Sequence, residues 1–171
     1  MRVAVRAVGR PKAEGIVVAI AEYERRAARY WPLDVVEVRE AGPRGGDADG
    51  MRRLEGERLL DGIGGGTVVA CDPGGESLDS SRFAAWLQAQ RERARDVTFV
   101  IGGAHGLDRE VLDRAERRLS LAPWTLPHEL ARLGGATLGQ HPQYAPLLLG
   151  HHMRIEHRSE LADHALTRQQ Q

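Results

Sequence analysis

The apolar positions along the chain switch between two periods. Val3, Val5 and Val8, interspersed with alanine and arginine, predict a short strand over 3–8. Gly9-Arg10-Pro11 then reads as a turn. From 13 to 29 the period lengthens: Ile16, Ala19, Ile20, Tyr23 and Ala27 fall at helical spacing, and Pro32 closes the unit. A second strand is predicted over 33–38. A glycine- and proline-bearing loop over 41–50 leads into a charged helix over 47–61, with Met51, Leu54 and Leu59 on its buried side. After a flexible connector at 62–66, the uninterrupted run Thr67-Val68-Val69-Ala70-Cys71 predicts a strand buried on both faces, as parallel sheets require.

The second half repeats the alternation. A helix over 80–93, capped by Ser80 or Ser81, puts Phe83, Trp86 and Leu87 on one face. Another buried strand spans 97–101, a tight loop 102–106, a helix 108–118, and a short apolar segment 120–126 contains Pro123. Strands alternating with helices predict an α/β layered fold with a mainly parallel sheet flanked by helices. Right-handed crossovers place ligand sites at the C-terminal ends of the strands.

Length and composition narrow the class. At 171 residues the chain suits one domain, and 28% charged with 42% hydrophobic residues is ordinary for a globular protein. No apolar run approaches the roughly 18–20 residues of a membrane span, so no membrane partner is expected. Arg2 and Arg6 interrupt the N-terminal apolar stretch, which argues against a signal peptide. With one cysteine, Cys71, no intrachain disulfide forms, and a cytoplasmic location fits. Net charge is zero, without the basic excess of many nucleic-acid binders. The positive charge is almost all arginine, Lys12 being the single lysine. High-GC coding accounts for such a bias, and guanidinium groups also suit phosphate contact and base stacking.

Three loops carry candidate chemistry. Gly102-Gly103-Ala104-His105-Gly106 follows a buried strand directly, so backbone there can approach a ligand closely. Its spacing is neither a dinucleotide fingerprint nor a P-loop, and it fits an ordinary tight turn as well. Asp72-Pro73-Gly74-Gly75 follows the third strand, and two prolines bracket the stretch from Pro123 to Pro127. On one sheet edge the three loops would converge on a small-molecule site. The residues themselves do not name the ligand. His151, His152 and His157 read either as a metal cluster or as an exposed histidine-rich tail, and no metal is expected.

The stretch 96–132, DVTFVIGGAHGLDREVLDRAERRLSLAPWTLPHELAR, resembles the signature of the RlmH family of ribosomal RNA large-subunit pseudouridine methyltransferases, of the SPOUT class. There a strand ends in Ile-Gly-Gly, a helix follows, and a Ser-Leu stretch runs to a Thr-x-Pro-His. Other pieces agree in order: VAVRAVGRPK, the Glu22-Tyr23-Glu24-Arg25-Arg26 run, Pro43-Arg44-Gly45, Glu55-Gly56-Glu57 and CDPGGESLDSSRFAAWL. The resemblance covers residues 1–132 and implies a SPOUT-type α/β trefoil knot. It implies S-adenosyl-L-methionine held at Cys71, Gly103, Ala122, Pro123, Trp124, Thr125, Leu126 and Pro127. It also implies a homodimer and, as partner, ribosomal RNA or the assembled ribosome. The reaction would be methyl transfer to the N-3 ring nitrogen of a pseudouridine in bacterial 23S RNA. Trp124 serves equally as a core tryptophan, and His105 either approaches the methyl site or faces solvent. Arg10, Lys12 and Arg44 are candidate RNA contacts or solvated surface charge. His128 and Arg132 are the matched polar residues nearest the site, and no catalytic base is assigned.

Residues 133–171 depart from the family. Where it has an apolar knot helix and a Pro-Tyr-His terminus, this chain reads LGGATLGQHP and overruns to a Gln-rich end. Three glycines and a proline make a poor helix. A diverged tail and a reading-frame change after Arg132 both account for it, and genomic DNA separates them. The rival expectation is a knotted domain that binds cofactor or RNA but does not methylate. A more distant one is an α/β domain for another nucleotide.

Overall fold

The computed structural model describes residues 1–42, 46–122 and 131. Strands and helices alternate in the order β1 (Val3–Val8), α1 (Glu14–Ala27), β2 (Leu33–Val38), α2 (Ala48–Leu60), β3 (Thr67–Ser77), α3 (Ser80–Glu92), β4 (Val97–Ile101), α4 (Arg109–Arg114) and β5 (Arg117–Ser120). The strands form one sheet in the order β2-β1-β4-β3-β5, every pairing parallel.

The inner strands are mostly apolar where both sheet faces are covered. Val3, Val5, Ala7, Val69, Phe99 and Ile101 join Trp31, Phe83 and Leu87 in one core. Val8, Val68, Ala70 and Val100 turn the other way, onto Leu59 of α2 and Val111 of α4. Leftward crossovers thus use the face of α3, and rightward crossovers the face of α2 and α4, as right-handed connections demand.

The helix starts are set by acidic caps. Asp47, Asp79 and Asp108 each accept a backbone N–H of the first turn of α2, α3 and α4. For α3 the cap is therefore Asp79, not Ser80 or Ser81: its carboxylate accepts the Arg82 N–H at 2.8 Å. A carboxylate at a helix N-terminus also meets the positive end of the helix dipole.

The chain departs from the sequence pattern in two places. The helix predicted over 108–118 stops at Arg114, and Arg117–Ser120 is strand β5. Glu116-Arg117-Arg118 has good helix formers, but pairing of 117–119 with 69–71 overrides that weak preference. The predicted loop after Cys71 is a wide bulge within β3. Cys71 and Glu76 both pair with Leu119, and the residues between them loop out. Gly75 permits this, because a Cβ there would lie 2.6 Å from the Arg118 carbonyl carbon and the Leu119 nitrogen.

Candidate functional site

The parallel sheet sends the C-terminal ends of β1, β4, β3 and β5 to one edge. Cys71 stands in register with Ile101 on one side and Leu119 on the other. Neighbouring strands lie about 4.8 Å apart. Gly102-Gly103 just beyond Ile101, the bulge just beyond Cys71, and Leu121-Ala122 just beyond Ser120 therefore occupy one stretch of edge. Of the residues assigned to the cofactor, Cys71, Gly103 and Ala122 are brought together. Pro123, Trp124, Thr125, Leu126 and Pro127 lie outside the described residues, as do Arg44, His128, Arg132 and the tail histidines.

The β4 loop is a tight turn. Gly103 bridges Gly106, and the Gly106 N–H donates to the Gly103 carbonyl at 3.1 Å. Gly106 needs its positive φ of 82°. A Cβ on Gly102 would meet the Gly106 carbonyl at 2.7 Å, and one on Gly103 would meet Glu55 Oε2 at 2.7 Å. The two glycines thus let the turn close tightly onto its own backbone and onto Glu55, a cradle made of backbone at the strand end. His105 is exposed at the tip, and Arg52 donates a long bond of 3.4 Å to its carbonyl.

The β3 bulge is braced from several sides. Asp72 accepts the Gly74 N–H at 2.9 Å. Glu76 pairs with Arg117 at 2.7 Å and with Arg82 at 3.2 Å. Arg117 lies over the Trp86 ring, 5.3 Å from its centroid. These exposed pairs are each worth little, but together they fix where the chain turns after Cys71.

Cys71 is half-buried, and burial pushes its thiol pKa up to about 12. Desolvation disfavours the thiolate, which makes Cys71 a weak nucleophile. As the sole cysteine it is easily tested. Iodoacetamide is expected to label native protein at pH 8 at least tenfold more slowly than urea-unfolded protein, since only the thiolate reacts. Comparable rates would place the thiol in water.

Arg10, at the end of β1, pairs with Glu37 at 2.7 Å and is largely exposed. Gly9, Arg10 and residues 37–42 line a groove beside the glycine turn. Glu40 packs its carboxylate onto Gly9. Among the described residues no group of three His, Cys, Asp or Glu is placed to hold a metal, and no helix is long and apolar enough to cross a membrane.

One site residue escapes the sequence pattern. Glu55 is 5% exposed, and its neighbour Gly56 brings α2 close to α4, where a Cβ would meet Asp108 Cβ at 2.9 Å. A signal was present, since Met51, Glu55 and Leu59 share a helix face at spacing four, with the carboxylate in the middle.

Residues 1–134 match the family model described as predicted SPOUT methyltransferase. A Gemmatimonas aurantiaca protein named ribosomal RNA large subunit methyltransferase H is 60% identical over 134 residues, covering 78% of this chain and 87% of that one. A protein of the same name from Gloeobacter violaceus is 38% identical over 152 residues, covering 88% of this chain and 97% of that one. One from Syntrophotalea carbinolica is 38% identical, covering 78% and 86%.

Proposed function

The chain belongs to the SPOUT methyltransferase family, and from that membership we propose that it methylates ribosomal RNA of the large subunit, using S-adenosyl-L-methionine. The acceptor is the N-3 ring nitrogen of a pseudouridine. The observation that carries this reading is the convergence of Cys71, the Gly102–Gly103 cradle and Ala122 at one edge of the sheet, within the matched residues.

The cradle suits a bulky nucleoside cofactor. The glycines let the chain turn tightly at the strand end, and the backbone of such a turn supplies hydrogen bonds to a ligand. When bound, the cofactor supplies an activated methyl on a sulfonium. The chain's part is alignment, since holding donor and acceptor in line supplies much of the rate. In this reading the stretch from Ala122 to Pro127 contributes to holding the cofactor. Arg10, Lys12 and Arg44 are the chain's candidate contacts to RNA phosphates. The working form is a homodimer in the cytoplasm, where assembled ribosomes are the substrate.

A second reading is favoured by one finding: the family model matches no further than residue 134, so it leaves nearly all of 133–171 uncovered. In that reading the domain 1–132 still binds cofactor or RNA, and the altered segment 133–171 leaves it without turnover.

Labelled S-adenosyl-L-methionine and ribosomes from a strain lacking the modification separate the two. Methylpseudouridine in large-subunit RNA, mapped by mass spectrometry, is the expected product. Cofactor binding without transfer supports the second reading, and absence of both sinks the proposal.

A further inference from the structure

Among the described residues, the buried side-chain atoms without a hydrogen-bond partner are Arg6 Nε and Glu55 Oε2. Arg6 reaches toward the C-terminal end of α2, where it donates to the Arg58 carbonyl at 3.4 Å and nears Gly62. Glu55 sits about one turn earlier on the same helix. Its Oε1 accepts the Ala41 N–H at 2.8 Å, and its Oε2 lies directly under Gly103.

A buried carboxylate oxygen without a donor is costly, because it has given up water for nothing. The core would be better served by a leucine at the centre of the Met51–Glu55–Leu59 stripe. The orphaned atom lies against Gly103, in the glycine turn that follows β4. Gly103 has no side chain, so only its backbone separates Oε2 from the edge where the cofactor binds. The turn is held by a single backbone hydrogen bond across its neck, from Gly106 to Gly103, and by the long Arg52 bond at its tip. It can therefore re-aim a peptide group at small cost.

We propose that Glu55 is a positioning residue for the cofactor turn: anchored by the Ala41 N–H, it supports Gly103 from beneath, and Oε2 accepts a backbone N–H of the 103–106 turn when cofactor is bound. The proposal rests on the cofactor reading above. Binding then completes a hydrogen bond that the free protein lacks, which ties cofactor affinity to a residue outside the three cofactor loops. It also joins the turn to Ala41, and so to the groove beside Arg10.

The test is calorimetric titration of the full chain with S-adenosylhomocysteine, alongside thermal unfolding without ligand. Glu55→Gln keeps shape and volume but turns one acceptor into a donor. It is expected to weaken binding about tenfold, the scale of one buried hydrogen bond to a charged group, with little change in melting temperature. Amide exchange at 103–106 in the complex should quicken in the same variant. Glu57→Gln, exposed on the same helix, should change neither. Affinity unchanged in Glu55→Gln overturns the proposal, as does a loss that merely follows unfolding.

If Glu55→Gln does not fold, Gly103→Ala keeps the idea testable. The added Cβ strikes Oε2 in the native background, whereas Glu55→Asp withdraws the carboxylate by one methylene. Gly103→Ala should therefore weaken binding much more alone than alongside Glu55→Asp, and strictly additive losses overturn the proposal. Failure of the native chain to bind S-adenosylhomocysteine overturns the cofactor reading and this inference together. Native binding with no effect at Glu55 overturns only the inference.

Discussion

Gly102→Ala is expected to weaken cofactor binding by about 5- to 150-fold, the equivalent of about 1–3 kcal/mol of overpacking. The new Cβ would lie 2.7 Å from the carbonyl carbon and oxygen of Gly106 and 3.0 Å from the Leu107 nitrogen. All three are backbone atoms, so no rotamer change relieves the contact. The turn must open instead, and it opens where Gly103 and Gly106 bridge. Leu107 and Val111 are buried just beyond and hold the chain on that side. The strain therefore falls on 103–106, the segment that shapes the cradle. Calorimetry with S-adenosylhomocysteine, checked against the urea midpoint, measures it. Native-like affinity in a folded variant would show that this turn does not shape the cofactor site.

Phe99→Ala is expected to cost about 3–5 kcal/mol of stability, a large share of the roughly 5–15 kcal/mol of a typical domain. Phe99 is 1% exposed in the middle of β4, flanked in register by Val5 and Val69. Its ring lies 6.2 Å from that of Phe83 on α3, a tilted pair joining sheet and helix. Neighbours on three sides belong to paired strands or to α3 and cannot collapse into the space, so the cavity persists. Urea unfolding followed by circular dichroism measures the loss. Val18→Ala on the exposed face of α1, where the side chain is 65% accessible, should stay within about 0.5 kcal/mol and serves as the reference. A loss below about 1 kcal/mol at Phe99 would mean that the two cores repack freely, against the close packing of protein interiors.

Much of the architecture was legible because its signals are local. Strands β1, β2 and β4 begin and end where the sequence pattern placed them, and β4 is the most apolar of the three because it is covered on both faces. Helices α1, α2 and α3 follow helical spacing to within a few residues. Cys71, Gly103 and Ala122 were assigned to the cofactor by family resemblance; the register sets Cys71 beside Ile101 and Leu119 at the strand ends, and a part for these residues in cofactor binding is a proposal. The segment from Pro123 to Pro127 lies outside the described residues, so its contribution stands as a proposal.

The sequence by itself determined the order of elements, the parallel sheet and the family, because periodicity, glycine turns and motif order are properties of neighbours along the chain. Only the tertiary structure decided that Arg117–Ser120 is a strand, that 72–75 is a bulge, and that Glu55 is buried beneath Gly103. In each case the deciding partner is distant in sequence: β3 for β5, the Arg118–Leu119 backbone for Gly75, and β4 for α2. Helix propensity and polarity are weak local terms, and a sheet edge to complete or a helix to bring close outweighs them. Such contacts exist only after distant segments have met, so no local pattern announces them.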